Sequence, residues 1–491
     1  MKTDGSSRYD DLAFAELTEH ALALGEGQLS KKGALAVSAK RSTSVQRFIV
    51  KEPSVTDVLR ADAQLHLLDT DLFRSIWAHV KDDIVERSRY RIHAHMGIDP
   101  SIAVPLQINT LKAWHGMSCH HLCHIPDEYN PRKKPEWKLI WAPIRSFGDV
   151  KILNKDSGVV MIHVGKRRIL MGGDLSTGEL RRTLLTLLGL LLPEKHSLPL
   201  HGAASHGDCG ITLFLGPAGT QKTTWALRCG QLIGDRALSW SQEGLHRLAD
   251  GCRLHLDQNL PISLDTALQF GTIAENFALS SDRSTFKKNN SNHPAHLVLP
   301  LVRLRATIKS DTRGPSQLVI LTTDPLGVLP ALSTISQEQC LAWFILGYGN
   351  HFGPLKEHLT EVDIRFTPGF LDSLLPRNID DYVLILEDLL KAHGTRCFLI
   401  NAGWHNGPIG LGNSLSASEE DTVMAAMHHC TDWESFKSLG LFIPKGRSET
   451  AESWHNSQAY ADNLSQLILS ITNELKRTKD PERWLRVLEI K

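Results

Sequence analysis

Residues 211–228 read Ile211-Thr-Leu-Phe-Leu-Gly-Pro-Ala-Gly-Thr-Gln-Lys-Thr-Thr-Trp-Ala-Leu-Arg228, and this stretch decides the fold of the chain. An apolar run is followed by a tight glycine-containing loop and then by a segment of helical character. This order is typical of a P-loop, in which backbone N–H groups of the loop and of the helix N-terminus bind phosphate oxygens. We therefore predict a phosphate-binding site formed by Gly216, Gly219, Thr220, Gln221, Lys222, Thr223 and Thr224.

P-loop chemistry assigns roles to the polar side chains around this loop, with ATP and Mg²⁺ as the predicted cofactors. Lys222 is expected to reach the β- and γ-phosphates, and the hydroxyl group of Thr223 to bind Mg²⁺. Asp235 ends a short apolar segment, where its carboxylate can hold a Mg²⁺-bound water opposite Thr223. Gln221 departs from the usual pattern, which has glycine before the lysine, and its Cβ would crowd the approach of backbone to phosphate. The alternative, an ordinary strand-to-helix turn, leaves the register of these residues unexplained.

The composition is that of an ordinary water-soluble protein. The 491 residues include 54 Lys plus Arg and 54 Asp plus Glu, so no net field attracts nucleic acid or an anionic membrane. The longest apolar run, Leu184–Leu192, is about half as long as a bilayer span. The N-terminus lacks the apolar core of a secretory signal, so we predict a cytoplasmic protein with eight reduced cysteines. The predicted partner is a small-molecule acceptor, with no nucleic acid and no membrane, and the oligomeric state is left open.

Two domains are expected, with a boundary near residue 200. The leucine-rich stretch Thr183–Leu192 is typical of a buried helix, and Pro193 and Pro199 close it. Residues 1–200 are predicted to form a mixed α+β substrate-side domain, and residues 201–491 an α/β P-loop nucleotide-binding domain. The predicted elements are a helix at 10–25, a surface loop at 281–295, and strands at 34–38, 47–50, 138–142, 159–164, 168–171, 211–215, 318–322 and 397–400.

Several segments follow one another in an order shared with a known family. They are Gly33-Ala-Leu-Ala-Val37, Arg47-Phe-Ile-Val50, Gly172-Gly-Asp-Leu-Ser-Thr-Gly-Glu-Leu-Arg-Arg182, His201-Gly-Ala-Ala-Ser-His-Gly207, the P-loop, Ile233-Gly-Asp-Arg236, Leu321-Thr-Thr-Asp-Pro-Leu-Gly-Val-Leu-Pro330 and Asn401-Ala-Gly-Trp404. Together they resemble the ATP-dependent phosphoenolpyruvate carboxykinases over nearly the whole chain. The resemblance implies the fold of that family.

The resemblance also implies a reaction and a second metal ion. The family decarboxylates oxaloacetate and phosphorylates the resulting enolate, with a second divalent ion, usually Mn²⁺, between the enolate and the γ-phosphate. The family's lysine, histidine and aspartate ligands match Arg182, His201 and Arg236 in this chain. A guanidinium offers no lone pair, so neither arginine can ligate a metal. The second metal site is therefore predicted to be lost, while the Mg²⁺–ATP residues are retained.

Positions that match the family's substrate and base contacts differ as well, which predicts an acceptor other than oxaloacetate. The substrate-facing tyrosine and three basic residues are replaced, and the base-holding Gly-Lys-Arg-Ile-Ser segment has lost its charges. Two residues at most remain of an arginine loop near the N-terminus, with one residue inserted before Arg47. The corresponding positions here are Ser176, Arg181, His255, a position near His296, Gly412-Asn-Ser-Leu-Ser416 and Arg41-Ser42.

The replaced metal ligands are positively charged instead of neutral. Arg181, Arg182 and Arg236 can supply charge near a phosphate and bind carboxylate or phosphate through two hydrogen bonds each. We take these three, together with Lys222 and His201, as the catalytic candidates.

Three functions are compatible with these residues. The favoured one is Mg²⁺–ATP-dependent phosphoryl transfer to a small anionic acceptor that is not oxaloacetate. The second is genuine ATP-dependent phosphoenolpyruvate carboxykinase activity in gluconeogenesis. The third is a nucleotide-binding pseudoenzyme, in which Arg236 pairs with Asp235 or Glu179 and plugs the site.

Two other polar clusters are candidates for binding. The run Arg132-Lys-Lys134 lies in a proline-flanked loop and is interpreted as solvated. The stretch Trp114–His124 permits a zinc site, but we favour a helix with thiols facing the core and imidazoles facing solvent, because zinc ligands usually come from separate turns. Its metal-capable side chains are His115, Cys119 and Cys123 on one helical face and His120 and His124 on another.

Overall fold

The structure is a computed structural model that describes residues 7–38, 44–61, 63–127, 137–144, 157–255, 262–288, 295–304, 306, 310–311, 313–350, 364–370, 375–436, 438–446, 454 and 456–490. The chain forms two compact units, one of residues 1–195 with 246–309 and the other of residues 196–245 with 310–491. Both contain sheets and helices, which confirms the predicted α/β class. The chain first leaves the first unit after Lys195, close to the boundary proposed at residue 200, and residues 246–309 return to that unit.

Twelve α-helices lie in the described part of the chain, and none of them is both long and apolar enough to span a bilayer. They are α1 (Phe14–Ala23), α2 (Pro53–Thr56), α3 (Thr70–Val85), α4 (Ala113–Leu122), α5 (Thr177–Leu191), α6 (Lys222–Cys229), α7 (Leu264–Ala267), α8 (Gln337–Leu346), α9 (Ile379–His393), α10 (Ala417–His429), α11 (Ser457–Leu475) and α12 (Pro481–Val487).

The first unit contains two sheets and a hairpin, with strands numbered in chain order. The eight-stranded sheet has the spatial order β1 (Arg8–Asp10), β6 (Arg89–Met96), β7 (Val104–Thr110), β8 (Trp137–Ala142), β10 (Arg168–Gly172), β9 (Ser157–His163), β4 (Ser44–Val50) and β5 (His66–Leu68). The five-stranded sheet has the order β17 (Gly251–His255), β21 (His296–Pro300), β18 (Ile273–Glu275), β3 (Leu35–Val37) and β2 (Gly27–Leu29). The hairpin consists of β19 (Phe277–Leu279) and β20 (Phe286–Lys288).

The second unit is organised around another eight-stranded sheet. Its order is β14 (Gln231–Asp235), β12 (Ala203–Gly207), β13 (Gly210–Leu215), β23 (Gln317–Thr322), β27 (Arg396–Asn401), β24 (Leu332–Ile335), β31 (Phe442–Pro444) and β30 (Trp433–Ser435). A further four-stranded sheet has the order β11 (Leu198–Leu200), β15 (Leu238–Ser241), β16 (Gly244–Arg247) and β22 (Ser310–Asp311), and two short pairs are β25 (Tyr348–Gly349) with β26 (Arg365–Phe366) and β28 (Trp404–His405) with β29 (Asn413–Ser414).

Three parallel strands at the centre of this sheet position the loop that follows β13. β13 pairs with β23, and β23 pairs with β27, all in parallel register. Nearly every residue of these strands is buried, which explains their uninterrupted apolar sequences. Because parallel strands end at the same edge, the segments that follow Leu215, Thr322 and Asn401 come together there.

The strand and helix predictions agree with the structure at most positions. The predicted strands fall on β3, β4, β8, β9, β10, β13, β23 and β27, and the opening helix falls on α1. The buried leucine-rich helix is the C-terminal part of α5. The loop predicted at 281–295 is wrong at residues 286–288, which form β20, and its residues 289–294 lie outside the described part of the chain, as does the basic run at 132–134.

Helix α4 holds the cysteine- and histidine-rich segment inside the first unit. The carboxylate of Glu26 accepts hydrogen bonds from the backbone N–H groups of Ala113 and Trp114 at 3.2 and 3.0 Å and so caps the helix. The His115 ring stacks on Trp141 with centroids 3.6 Å apart. Cys119 is fully buried, and burial raises the pKa of its thiol to about 12.

The imidazoles of α4 do not form the solvent-facing set that the sequence predicts. His115 and His121 are buried, and His121 Nε2 lies 2.7 Å from the carbonyl oxygen of Gly271. His120 Nε2 is bonded to the carbonyl of Leu12. Among the residues that the structure describes, no group of three His, Cys, Asp or Glu side chains could hold a metal ion. The segment is a packed helix whose rings are used in hydrogen bonds and stacking.

We predict that His121 makes the first unit sensitive to acid. Burial lowers the pKa of His121 from 6.5 to about 4, so protonation favours the unfolded chain. Its contribution to stability is therefore present above pH 6.5 and is lost as the pH falls towards 4, by up to about 3 kcal/mol. His121→Gln retains an N–H donor for Gly271 but does not titrate. Urea unfolding at several pH values between 4 and 7 should show a smaller loss of unfolding free energy in the variant, and equal losses would contradict this prediction.

Candidate active site

The P-loop joins β13 to α6 and is pressed against the neighbouring strand at its first glycine. Gly216 has a φ of 155°, and a Cβ at this position would clash with the carbonyl oxygen of Leu321 in β23. Only glycine allows this approach of the two backbones. The order of strand, loop and helix is therefore that of a phosphate-binding loop, and the sheet fixes its shape.

Gln221 occupies the N-cap of α6 in a left-handed backbone conformation, with φ 56° and ψ 33°. Glycine, which the usual pattern has here, adopts this conformation without steric cost, whereas a residue with a Cβ loses about 1–2 kcal/mol. The sequence analysis attributed the glycine to the approach of phosphate. The structure adds a backbone reason that applies whether or not phosphate is bound.

Hydrogen bonds hold the side chain of Lys222 against the loop that follows β13. Its ammonium group donates hydrogen bonds to the carbonyl oxygens of Gly216 and Pro217, both at 2.7 Å, and its side chain is buried. The hydroxyl group of Thr220 donates to the same Pro217 carbonyl at 2.9 Å. These bonds keep the charged end of Lys222 at the loop, where phosphate chemistry requires it.

Thr223 and Asp235 form a buried oxygen pair suited to a magnesium ion. The Thr223 hydroxyl donates to Asp235 Oδ1 at 2.8 Å. Asp235 ends β14 and is buried, and its Oδ2 has no hydrogen-bond partner. A hydroxyl and an incompletely bonded carboxylate are ligands that Mg²⁺ prefers in proteins. The residues present therefore fit this ion.

Arg236 follows Asp235 directly and also has a left-handed backbone, with φ 63°. Its N–H donates to the carbonyl of Gly202 at 2.6 Å. Its Nε lies 3.5 Å from Asp235 Oδ2, and the side chain is 34% exposed. The guanidinium is thus an ion-pair neighbour of the carboxylate that would face the magnesium ion.

His201 precedes Gly202, whose carbonyl accepts the N–H of Arg236. β12 and β14 are antiparallel with Ala203 opposite Asp235, so the residues preceding β12 lie beside those following β14. His201 keeps a metal-ligating ring, but Arg236 offers no lone pair. In the second unit the residues at the matching positions therefore do not fit a second metal ion.

The candidates in the first unit lie on α5. Ser176 is the N-cap of this helix, and Arg181 and Arg182 lie in its second turn. Glu179, in the first turn, accepts a two-pronged ion pair from Arg47, with Nε–Oε1 and Nη2–Oε2 distances of 2.7 and 2.8 Å. This carboxylate is therefore already paired within the first unit, which leaves Asp235 as the observed partner of the second unit's Arg236.

A buried glutamate near the start of α5 is a feature that the sequence analysis missed. Glu275 is fully buried and accepts hydrogen bonds from the N–H of Thr177 at 2.9 Å and from its hydroxyl at 2.7 Å. Arg253 Nε lies 3.2 Å from the same carboxylate. On neighbouring strands, the His255 and His296 rings pack edge to face with their centroids 5.0 Å apart. The sequence feature that could have indicated this buried carboxylate is an acidic residue, Glu275, at the end of a short apolar strand.

A second missed feature lies behind the P-loop. Asp324 is fully buried and accepts hydrogen bonds from three backbone N–H groups after β23 and from the Tyr348 hydroxyl at 2.6 Å. Asn401 Oδ1 accepts the N–H of Asp324 at 3.1 Å and that of Gly403 at 2.9 Å. Burial raises the pKa of Asp324, and the hydrogen bonds oppose this shift. This network joins the ends of β23 and β27.

The remaining candidate positions are less informative. In the stretch at 412–416, Asn413 and Ser414 form strand β29 of a short hairpin and are exposed. Arg41 and Ser42 lie outside the described residues.

Comparisons with known proteins agree with the architecture. A family model described as phosphoenolpyruvate carboxykinase matches residues 6–450. The protein named phosphoenolpyruvate carboxykinase (ATP) of Geobacillus kaustophilus (strain HTA426) is 28% identical over 489 residues, which cover 94% of this chain and 92% of its own. The protein of the same name from Geobacillus thermodenitrificans (strain NG80-2) is 27% identical with the same coverage. Phosphoenolpyruvate carboxykinase (ATP) 2 of Moorella thermoacetica (strain ATCC 39073 / JCM 9320) is 28% identical, covering 83% of this chain and 80% of its own.

These relatives overturn the favoured functional prediction. The replaced metal and substrate residues predicted phosphoryl transfer to an acceptor other than oxaloacetate, yet the relatives that match most of the chain are named as ATP-dependent carboxykinases. That prediction is wrong because it gave a few side chains more weight than the motifs shared along the whole sequence. The match over residues 6–450 shows that the chain belongs to the ATP-dependent phosphoenolpyruvate carboxykinase family.

Proposed function

We propose that the protein catalyses the ATP-dependent carboxykinase reaction, in which oxaloacetate and ATP give phosphoenolpyruvate, CO₂ and ADP. The observation that carries the proposal is the P-loop, with Lys222 held at its carbonyls and Thr223 bonded to Asp235, in a chain matched by the family model over residues 6–450. The substrates are small anions, and a cytoplasmic location is part of the proposal.

The P-loop residues are proposed to hold the phosphates of ATP. α6 begins at Lys222, and the backbone N–H groups of a helix N-terminus suit phosphate oxygens. Lys222 would exchange the carbonyls of Gly216 and Pro217 for β- and γ-phosphate oxygens. Mg²⁺ bound by Thr223 and Asp235 supplies positive charge that offsets the charge of the phosphates.

The proposed reaction needs positive charge at two anionic centres. The bond to the departing carboxylate breaks, CO₂ leaves, and the electron pair remains as an enolate. The enolate oxygen attacks the γ-phosphorus, and the bond to the β-phosphate oxygen breaks, so that ADP leaves. We propose Arg181 and Arg182 as carboxylate-binding groups, because guanidinium and carboxylate form two parallel hydrogen bonds. His201, which belongs to the second unit, is proposed as a hydrogen-bonding group.

We propose that this chemistry proceeds without the second divalent ion that the resemblance implies. Arg182 and Arg236 have no lone pair to offer a metal. The lost ligands thus leave Lys222 and the arginines as the positive side chains of the reaction.

The first prediction from this proposal is carboxykinase turnover. Purified protein with Mg²⁺, ATP and oxaloacetate should form phosphoenolpyruvate at about 1 per second or faster. Lys222→Ala should reduce this rate by about 100-fold or more, because a charge that stabilises phosphoryl transfer is removed. The rate is measured by enzymatic detection of phosphoenolpyruvate.

The matched control is Lys479→Ala, which removes an exposed lysine that pairs with Asp380 in the same unit. This variant should retain the wild-type rate. ATP binding without any phosphoenolpyruvate would contradict the proposal and indicate a nucleotide-binding pseudoenzyme.

The second prediction concerns nucleotide binding alone. Mg²⁺–ATP should stabilise the wild-type protein by about 2.7 kcal/mol at a concentration 100 times its Kd. Lys222→Ala should lose most of this stabilisation because the phosphates lose their cation. Differential scanning calorimetry with a series of ATP concentrations measures the effect. An unchanged response in the variant would remove Lys222 from the phosphate site.

The third prediction tests the left-handed position before the lysine. Gln221→Gly should increase the free energy of unfolding by up to about 1 kcal/mol, because glycine adopts φ 56° without the steric cost of a Cβ. ATP should bind at least as tightly as before. Gln231→Gly in strand β14 serves as the control and should be destabilising, since it removes a strand side chain and adds flexibility to the unfolded chain. A loss of stability in Gln221→Gly would contradict the assignment of strain.

A further inference from the structure

We infer that the guanidinium of Arg236 contacts the γ-phosphate of ATP and takes the place of a second cation, so that the site binds one divalent ion per nucleotide. This inference rests on the proposed function for the presence of ATP in the P-loop. It adds a residue that distinguishes ATP from ADP.

Arg236 and Thr223 both lie beside the carboxylate of Asp235. Asp235 Oδ1 accepts the hydroxyl of Thr223, and Asp235 Oδ2 lies 3.5 Å from Arg236 Nε without a hydrogen bond of its own. The magnesium-binding pair and the guanidinium therefore meet at one side chain. A phosphate oxygen that approaches the Thr223–Asp235 pair also approaches the guanidinium.

The guanidinium of Arg236 can replace a metal cation beside a phosphate, but it cannot bind one. A guanidinium has five N–H donors and stays charged at any working pH, so it binds phosphate oxygens. It has no lone pair, and its charge opposes a second divalent ion at the same place. In other phosphoryl-transfer enzymes an arginine placed in this way stabilises the charge that develops on the transferred group.

The backbone of Arg236 argues against a purely structural role. Its φ of 63° is unfavourable for a long side chain, and its N–H is fixed to the Gly202 carbonyl. The register of β12 and β14 fixes this conformation, in which asparagine or glycine would be less strained. An arginine here strains the fold locally, as is frequent for residues that act on a ligand.

The first test counts bound ions. Electron paramagnetic resonance titration of Mn²⁺ in the presence of saturating β,γ-methylene-ATP should show one bound ion per chain. Two bound ions per chain would overturn the inference. Because the count needs no turnover, it is independent of the carboxykinase assay. One ion without phosphoenolpyruvate formation would refute the proposed function alone, and two ions with turnover would refute this inference alone.

The second test uses Arg236→Asn, which removes the charge and tolerates the left-handed backbone. Calorimetric titration should show at least a tenfold loss of affinity for Mg²⁺–ATP and less than a twofold change for Mg²⁺–ADP. The melting temperature without nucleotide should be equal to or above that of the wild type. Arg377→Asn is the control, because its guanidinium pairs with Asp381 in the same unit. It should melt at a lower temperature with an unchanged ratio of ATP to ADP affinity. Equal losses for both nucleotides, or a lower melting temperature in Arg236→Asn, would show that Arg236 only supports the fold.

Discussion

The buried carboxylate of Asp324 is the interaction that fixes the edge of the second unit where its parallel strands end. Leaving such a carboxylate uncompensated would cost several kcal/mol, and here it accepts three backbone N–H groups and the Tyr348 hydroxyl. Asn401 completes the network from the neighbouring strand. The ends of β23 and β27 are thereby fixed, and with them the Leu321 carbonyl, which leaves no room for a Cβ at Gly216. The shape of the P-loop is therefore set by a network that need not touch the nucleotide.

Two departures from the family's motifs share a backbone property. Gln221 stands where the family has glycine, and Arg236 where it has aspartate, and both residues adopt positive φ. Glycine carries no steric cost in this region, and aspartate is enriched there relative to longer side chains. At both positions this chain therefore carries a long side chain on a left-handed backbone. Sheet register maintains that backbone, since Asp235 pairs with Ala203 immediately before Arg236.

The sequence predicted the structure best where the residues of a single segment determine its secondary structure. The strands at 211–215, 318–322 and 397–400 were predictable because central parallel strands are buried on both faces and read as continuous apolar runs. The contact of Glu275 with Thr177 was not predictable from the sequence. The two residues are far apart in the chain, and no local pattern connects them. The prediction that the imidazoles of α4 face solvent was wrong for a related reason. Helical spacing places side chains on faces, but the partners of those faces, such as the Gly271 carbonyl at His121, come from elsewhere.

The discontinuous first unit has a consequence for synthesis of the chain. In its five-stranded sheet, β3 pairs in parallel with β18, so that Leu35 lies opposite Ile273. The ribosome must therefore complete residues 196–245 before β3 can pair with β18, whereas β1, β2 and β4 pair with strands made earlier. A nascent chain that ends at residue 245 lacks β17, β18 and β21 and leaves the edge of β3 open. An open strand edge is a template for pairing with other chains, so the incomplete chain presents an edge that β18 covers in the complete first unit.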